Sequence, residues 1–548
     1  MARASALLVW VAVYLLQVAL ALPTLGPTVK LGNATVTGTK SGSVNKFLGI
    51  PYALPPTGDR RFRLPQSIPP YTSSFSATSF APSCPQHALD LPLPEGLAAD
   101  AVNFIANSIF AMVFPDSEDC LSLNVVVPAN ATPNSQLPVV AWIFGGGFEL
   151  GSTSMYDGKI VVDRSISLGE PVIFVSMNYR VSGFGFLAGK EVKEAGVGNL
   201  GLQDQREALR WIQKYISAFG GDPTKVTIWG ESAGAISVGL HMVANNGNSE
   251  GLFRGGFMES GSPIPVGDIT NGQRYYDDIV SQTGCGGTAD TLECLRTVPY
   301  STLKAVVNKS PGIFSYQSLN LAWMPRVDGV FLAENPQVLV QQGKVANIPF
   351  VTGDCDDEGT LFALSTLNIT TDAQLRSYIK TYWMPGASDE VLDELMDLYP
   401  DDILSGSPYD TLILNALTPQ YKRIASFFGD AVFQAPRRFF LQQRSGEHDT
   451  WAFLNKRMKL LPALGATHTT DLLNIFGKGE LLDYLIRFVV NLNPNGNPLT
   501  TYQWPKYSND QPQMMTFSDG LIPLTIENDD FREDGINFMM RVTLSNPL

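Results

Sequence analysis

The strongest pattern in the chain lies between roughly residues 137 and 260, where short apolar runs rich in β-branched residues alternate with stretches of helical period. Residues 137–144 (LPVVAWIF) and 171–177 (PVIFVSM) read as buried strands. Residues 201–218 carry Leu202, Leu209, Ile212 and Ile216 on one side, an amphipathic helix that Gly220-Gly221-Asp222-Pro223 stops before the next strand, 226–229 (VTIW). Strands alternating with helices imply parallel β-α-β units. Residues 348–352 (IPFVT) and 450–454 (TWAFL) read as later strands, separated by long, largely helical insertions. No repeat, low-complexity tract or Ser/Gly linker divides the chain, so the pattern predicts one α/β domain with large insertions over residues 22–548.

Residues 1–21 stand apart. Arg3, an apolar run at 6–16 and Ala19-Leu20-Ala21 have the layout of a cleaved signal peptide. The run breaks at Gln17, short of the roughly 20 residues a membrane span needs, and no later stretch reaches that length without charges or Pro. The expectation is therefore a secreted protein without a transmembrane segment. A formal charge of −14 disfavours nucleic acid and anionic membrane as partners. Five cysteines suit two staples on a large secreted domain, with one left free or paired between chains. Four sequons, at Asn33, Asn130, Asn308 and Asn368, are candidate glycosylation sites; Asn308 is the weakest, because Pro311 follows its Ser.

The candidate chemistry centres on Gly230-Glu231-Ser232-Ala233-Gly234. This G-x-S-x-G run follows the strand VTIW directly and precedes a helical pattern at 235–243, the strand–turn–helix context of a nucleophilic serine. Gly145-Gly146-Gly147-Phe148, immediately after the strand ending at 144, supplies a flexible turn that with the N–H of Ala233 can receive an oxyanion. A phosphate-cradling role fits poorly, since no Lys-Ser/Thr follows and the dinucleotide spacing is absent. In this fold the acid and then the base follow the serine. His87 precedes Ser232 and His241 lies on its own helix, which leaves His468, in a small-residue loop, ahead of His448 in a polar, solvated-looking run. The acid belongs after IPFVT, where Asp354, Asp356, Asp357 and Glu358 form a charge run; such a run reads mostly as a solvated loop, and spacing alone does not select among the four.

Taken with Phe47-Leu-Gly-Ile-Pro-Tyr52, Ser117-Glu-Asp-Cys120-Leu-Ser-Leu-Asn124, Asn178-Tyr-Arg180, Gly201-Leu-Gln-Asp204-Gln-Arg206 and Gly220-Gly-Asp-Pro223, the chain resembles the type-B carboxylesterase (cholinesterase-like) family, in its fungal lipase and sterol-esterase branch. The likeness covers essentially all of residues 22–548. It implies the α/β-hydrolase fold, Glu358 as the acid of a Ser232–His468–Glu358 triad, and oxyanion donors at Gly146, Gly147 and Ala233. It also implies disulfides Cys84–Cys120 and Cys285–Cys294, with Cys355 free. Two departures stand out: Thr467 replaces an aromatic residue common before the histidine, and Cys355, three residues before Glu358, has no derivable role. The implied reaction is ester hydrolysis through an acyl-enzyme, and it calls for no metal or cofactor.

Between Cys84 and Cys120 lies a segment that a small-substrate esterase does not need, about residues 85–119. Over 94–114, Asp100, Asn103 and Asn107 make one narrow polar stripe on an otherwise apolar helix containing Leu97, Ala101, Ile105, Ile109, Met112 and Val113. A wide apolar face also suits ordinary core. By the family likeness the segment is a lid, and the partners become long-chain acylglycerols or steryl esters and the lipid–water interface. A carboxylesterase for small or aromatic esters, a serine peptidase and a non-catalytic binding domain are the competing readings; the last usually lacks triad residues that are all present here.

Overall fold

The computed structural model describes residues 26–108, 112, 114–497, 499 and 502–548. The leader expected at 1–21 and the flap residues Ile109 and Val113 lie outside them. In chain order the strands are β1 (Thr28–Leu31), β2 (Ala34–Thr37), β3 (Thr39–Ser41), β4 (Val44–Pro51), β5 (Phe75–Ser76), β6 (Ser122–Pro128) and β7 (Leu137–Ile143). There follow β8 (Ile173–Met177), β9 (Gly221–Glu231), β10 (Gly255–Glu259), β11 (Phe350–Cys355), β12 (Thr450–Lys456), β13 (Gln513–Ser518) and β14 (Leu524–Asn528).

Eleven of them form one sheet in the order β14-β13-β12-β11-β10-β9-β7-β8-β6-β4-β3, while β1, β2 and β5 form a small second sheet. From β8 through β7, β9, β10, β11 and β12 to β13 every pairing is parallel. The flanks β6-β4-β3 and β14 are antiparallel. The parallel strands carry almost continuous apolar runs because helices cover them. Trp142, Trp229 and Trp451, from β7, β9 and β12, are completely buried. Helices α1 (Ala99–Ala106), α2 (Lys159–Ser167), α3 (Leu200–Tyr215), α4 (Ala233–Gly247) and α5 (Glu480–Asn491) are those that matter below. Among the described residues no helix is long and apolar enough to cross a membrane.

The elements differ from the sequence pattern mainly at their ends. The run LPVVAWIF stops as a strand at Ile143, since Phe144 already belongs to the glycine turn. β9 starts at Gly221, well before VTIW, because Leu137 of β7 pairs with Gly221; only Gly220, at φ +91°, terminates the preceding helical turn. The largest difference is in the flap. Among the described residues of 94–114 the helix is Ala99–Ala106, and the chain leaves it at Asn107, whose side chain turns back to the carbonyl of Asn103 at 2.7 Å.

Candidate active site

Parallel strands end on a common edge of the sheet, and residues just beyond those ends converge there. Ser232 follows β9 and opens α4, with φ +57° and ψ −127°, a region that costs an L-residue conformational energy. The glycines two residues either side make that turn possible. A Cβ on Gly230 would lie 2.4 Å from the carbonyl of Gly234, and one on Gly234 would lie 2.0 Å from the carbonyl oxygen of Ile143. The Ser232 N–H donates to the Glu259 carbonyl at 2.9 Å, which holds the turn onto β10.

His468 brings Nε2 to 2.8 Å from Ser232 Oγ and Nδ1 to 2.5 Å from Glu358 Oε2. A carboxylate on Nδ1 favours the tautomer protonated there, leaving the Nε2 lone pair to accept the serine hydroxyl. Glu358 sits three residues beyond β11, and its Oε1 accepts the Cys355 N–H at 2.6 Å. Burial pushes the Glu358 carboxyl upward, and that N–H acts against it. Burial pulls His468 down to about 4, against the opposing charge of Asp471, so the resting imidazole is neutral around neutral pH. The rings of Phe362 and Phe433 pack 5.2 and 4.8 Å from the imidazole centroid and keep water from it.

The other candidate bases lie elsewhere. His448 Nε2 contacts Arg444 at 2.8 Å, half-buried at the end of a helix; it is not the freely solvated side chain its polar run suggests. His241 Nε2 meets Gln205 at 2.8 Å inside the core, and His87 Nε2 meets Ser310 at 3.1 Å.

The charge run after β11 is not solvated either. Asp354, Asp356, Asp357 and Glu358 are all buried. Asp354 pairs with Arg437 at 3.0 Å, and Asp356 pairs with Lys459. Asp357 accepts the N–H groups of Ala466 and Tyr409, each at 2.9 Å, and the hydroxyl of Ser407 at 3.0 Å. These side chains tie the histidine loop to the acid loop, so their charges are consumed internally. Thr467, where the family often carries an aromatic ring, receives the Thr360 hydroxyl at 2.8 Å and serves the same tie.

In the glycine turn, Gly146, Gly147 and Phe148 all have positive φ, at +111°, +63° and +58°. The N–H groups of Glu149 and Leu150 fold back onto the Gly146 carbonyl at 3.1 and 3.2 Å. Behind the turn the Glu149 carboxyl, pushed up to about 8 by burial, accepts the Ile313 N–H at 2.8 Å.

A buried acidic cluster beneath the triad escaped the sequence reading. Glu231, the variable residue of the motif, is fully buried with Oε1 3.5 Å from His468 Nε2, and neither of its oxygens has a hydrogen-bond partner among the described residues. Burial, then the charges of Asp471, Glu259 and Glu358, push it well above the usual carboxylate range. Glu259 accepts the Trp229 indole N–H at 2.5 Å, and Asp471 accepts the Ser260 hydroxyl at 2.6 Å. Cys355 is free and buried, its sulfur 3.3 Å from Thr470 Oγ1; burial raises the thiol so far that it is a packing group. A signal for Glu231 and Glu259 existed, since both end parallel strands at the catalytic edge.

The two disulfides are Cys84–Cys120 and Cys285–Cys294. Asn33, Asn130 and Asn368 are exposed, whereas Asn308 is half-buried with its Oδ1 accepting the Ala88 N–H at 3.1 Å.

A mostly parallel sheet whose central strand delivers a strained serine to a strand–helix turn is the α/β-hydrolase fold. Residues 26–529 match the Carboxylesterase family, and the chain belongs to that family; it is a serine carboxylic ester hydrolase. It is 44% identical over 503 residues to Secreted lipase 1 of Botryotinia fuckeliana, across 88% of each chain. It is 42% identical over 538 residues to Lipase 2 of Diutina rugosa, across 95% of this chain and 96% of that one. Its fold is similar to the crystal structure of Aspergillus niger EstA, with TM-score 0.80 and 29% identity over 96% of this chain and 99% of that one.

Proposed function

We propose that this protein is a secreted lipase or sterol esterase acting on long-chain acylglycerols and steryl esters at a lipid–water interface, through a Ser232–His468–Glu358 triad. Ser232 Oγ attacks the ester carbonyl as His468 Nε2 takes its proton. The N–H groups of Gly146, Gly147 and Ala233 receive the oxyanion, each such donor being worth roughly 10²–10³ in rate. His468 returns the proton to the departing alcohol, and water deacylates the enzyme with the roles reversed. Glu358 orients the imidazole and stabilises its cation.

The observation that carries this reading is the unbroken hydrogen-bond chain of 2.8 and 2.5 Å from Ser232 through His468 to Glu358 in a buried setting. The lipase reading draws on relatives named as lipases, secreted ones among them, and on the flap. In this reading residues 85–119 are a lid. α1 buries Ala101 and Ile105 against the body, and a cavity of about 320 Å³ separates Met112 and Phe114 from Leu150 beside the glycine turn. Glycans are assigned to the exposed Asn33, Asn130 and Asn368, with Asn308 lowest in occupancy. The test is one assay series on long-chain triacylglycerol, cholesteryl ester, short-chain ester and peptide. Long-chain turnover that rises once substrate aggregates is the expected result. Turnover confined to soluble small esters would make the protein a non-lipolytic carboxylesterase, and ester turnover surviving Ser232→Ala would remove the triad.

A further inference from the structure

We infer that a second apolar surface, separate from the flap, docks the protein onto an uncharged or zwitterionic lipid surface beside the active-site mouth. This inference rests on the lipase reading above. Two loops leave the catalytic edge of the sheet next to one another, and a third, between the helices Asp389–Leu398 and Tyr421–Gly429, is joined to them. The middle one runs from the end of β12 toward His468 and exposes Leu460, 93% accessible. On one side the β13–β14 turn exposes Leu521 completely and Ile522 at 69%. On the other, Leu412, Ile413 and Leu414 are consecutive and each about two-thirds exposed. The side loops are joined to the middle one: the Met458 N–H donates to Asp519 at 2.7 Å, and the Ala463 N–H donates to Asn415 at 2.9 Å. Because β12 and β13 are parallel, the loops that follow them open toward the side on which Ser232, Glu358 and His468 meet, and the Leu412–Leu414 loop is tied to that side by Ser407 and Tyr409 on Asp357 and by Asn415 on Ala463.

This exposure is built rather than left over. Asp410, Leu412 and Asn415 hold left-handed backbone, which a chain retains only when its surroundings enforce it. The Leu412 carbonyl accepts Lys422 Nζ at 2.6 Å, and the Thr411 hydroxyl donates to the Pro408 carbonyl at 2.6 Å. The polar backbone is thus tied inward and the aliphatic side chains are turned out. Single exposed leucines are ordinary, but a rim of six on three linked loops marks a contact surface. Charge selects the occupant. Lys456, Arg457 and Lys459 on the middle loop are already paired with Glu527, Glu480 and Asp357. Among the described residues of these loops no exposed cation is left unpaired, since Lys422 is buried against the Leu412 carbonyl, and Asp410 and Asp519 would repel anionic headgroups. An acylglycerol droplet or a zwitterionic monolayer fits, and contact there presents substrate directly to the histidine side of the mouth.

The test uses Ser232→Ala protein, so that bound lipid is not consumed, with triacylglycerol droplets, phosphatidylcholine vesicles and phosphatidylglycerol vesicles in flotation assays. Two triple variants, Leu460→Ser/Leu521→Ser/Ile522→Ser and Leu412→Ser/Ile413→Ser/Leu414→Ser, are each expected to bind at least tenfold more weakly. In the active enzyme both should hydrolyse a soluble short-chain ester within twofold of wild type and keep its Tm. Unchanged droplet binding in both variants overturns the inference. So does wild-type preference for anionic vesicles, an equal loss on soluble ester, or a wild-type dimer in sedimentation that the variants dissociate. If wild type fails on long-chain esters while droplet binding still depends on these residues, the substrate reading falls and the docking surface stands.

Discussion

The turn around Ser232 and the proposed lid between Cys84 and Cys120 are built in opposite ways. At the turn, packing is at the contact limit: Gly230 and Gly234 have no room for a methyl group, and Ser232 is hydrogen-bonded through backbone and side chain. The flap is fastened at its base. Its base carries the Cys84–Cys120 disulfide, a two-pronged Arg61–Glu118 pair at 2.5 and 2.7 Å, and Asp116 held by Tyr300 and Lys304. Among the described residues past that base, the eight of α1 are helical, and Met112 and Phe114 line a cavity of about 320 Å³. Chemistry needs donors and acceptors fixed to fractions of an ångström. Access needs an element whose local opening costs little, which means few buried contacts.

The sharpest way to break this comparison is to remove the nucleophile without disturbing its frame. Ser232→Ala should lower ester hydrolysis by about 10⁴-fold or more while leaving Tm unchanged, since alanine fits the same strained turn. His468→Ala should match it and His448→Ala should be nearly silent, read as kcat/KM on a soluble ester. Next in size is the flap's fastening. Opening Cys84–Cys120 in a Cys84→Ser/Cys120→Ser protein releases a 36-residue loop and should cost about 4 kcal/mol by chain entropy, against about 2.5 for the 9-residue loop of Cys285–Cys294. Denaturant titration measures both. Soluble-ester turnover should survive the loss if the elbow is independent of the flap.

A smaller effect is expected inside the flap. Ile105 is completely buried, and burying such a side chain is worth about 1.5–3 kcal/mol. Ile105→Ser should therefore weaken the closed position, reducing the rise in long-chain activity on substrate aggregation while sparing soluble esters. Equal loss on both substrates would make α1 part of the core.

The same contrast explains what could be read from residues alone. The parallel strands and the G-x-S-x-G turn were legible because a doubly covered strand must be apolar along its length and a nucleophile elbow tolerates only small neighbours. The 94–114 pattern starts ahead of its helix, at Pro94 and Leu97, because apolar periodicity registers burial and not backbone conformation. Asp354, Asp356 and Asp357 were misread as solvated because composition reports charge and not the Arg437 and Lys459 that neutralise it from far along the chain. Asp471 was invisible for the same reason, and Glu231 was legible only as the end of a parallel strand: their meaning lies in distances across the sheet edge.

That buried cluster supports the finest prediction, on pH. His468 must be neutral to take the serine proton, and burial lowers it to about 4 from its ordinary 6.5. The active form therefore persists as pH falls below 6.5 and is lost only as pH drops through the lowered value. The acid limb of kcat/KM on an uncharged soluble ester should lie well below 6.5. Asp471 acts against burial, because its negative charge stabilises the imidazolium and raises His468. Burial and then the Glu358 charge lift Asp471 itself to about 6, so its charge is fully present only above that pH. Asp471→Asn keeps an oxygen to accept the Ser260 hydroxyl and removes the charge. Because Asp471 is already mostly uncharged at the pH where His468 titrates, the acid limb should then move little and only downward, with kcat near neutral pH changed by only a few-fold. A limb that moves up, or one already at 6.5 in wild type, would mean that water reaches the imidazole and that the mouth is looser than the packing of Phe362 and Phe433 around it implies.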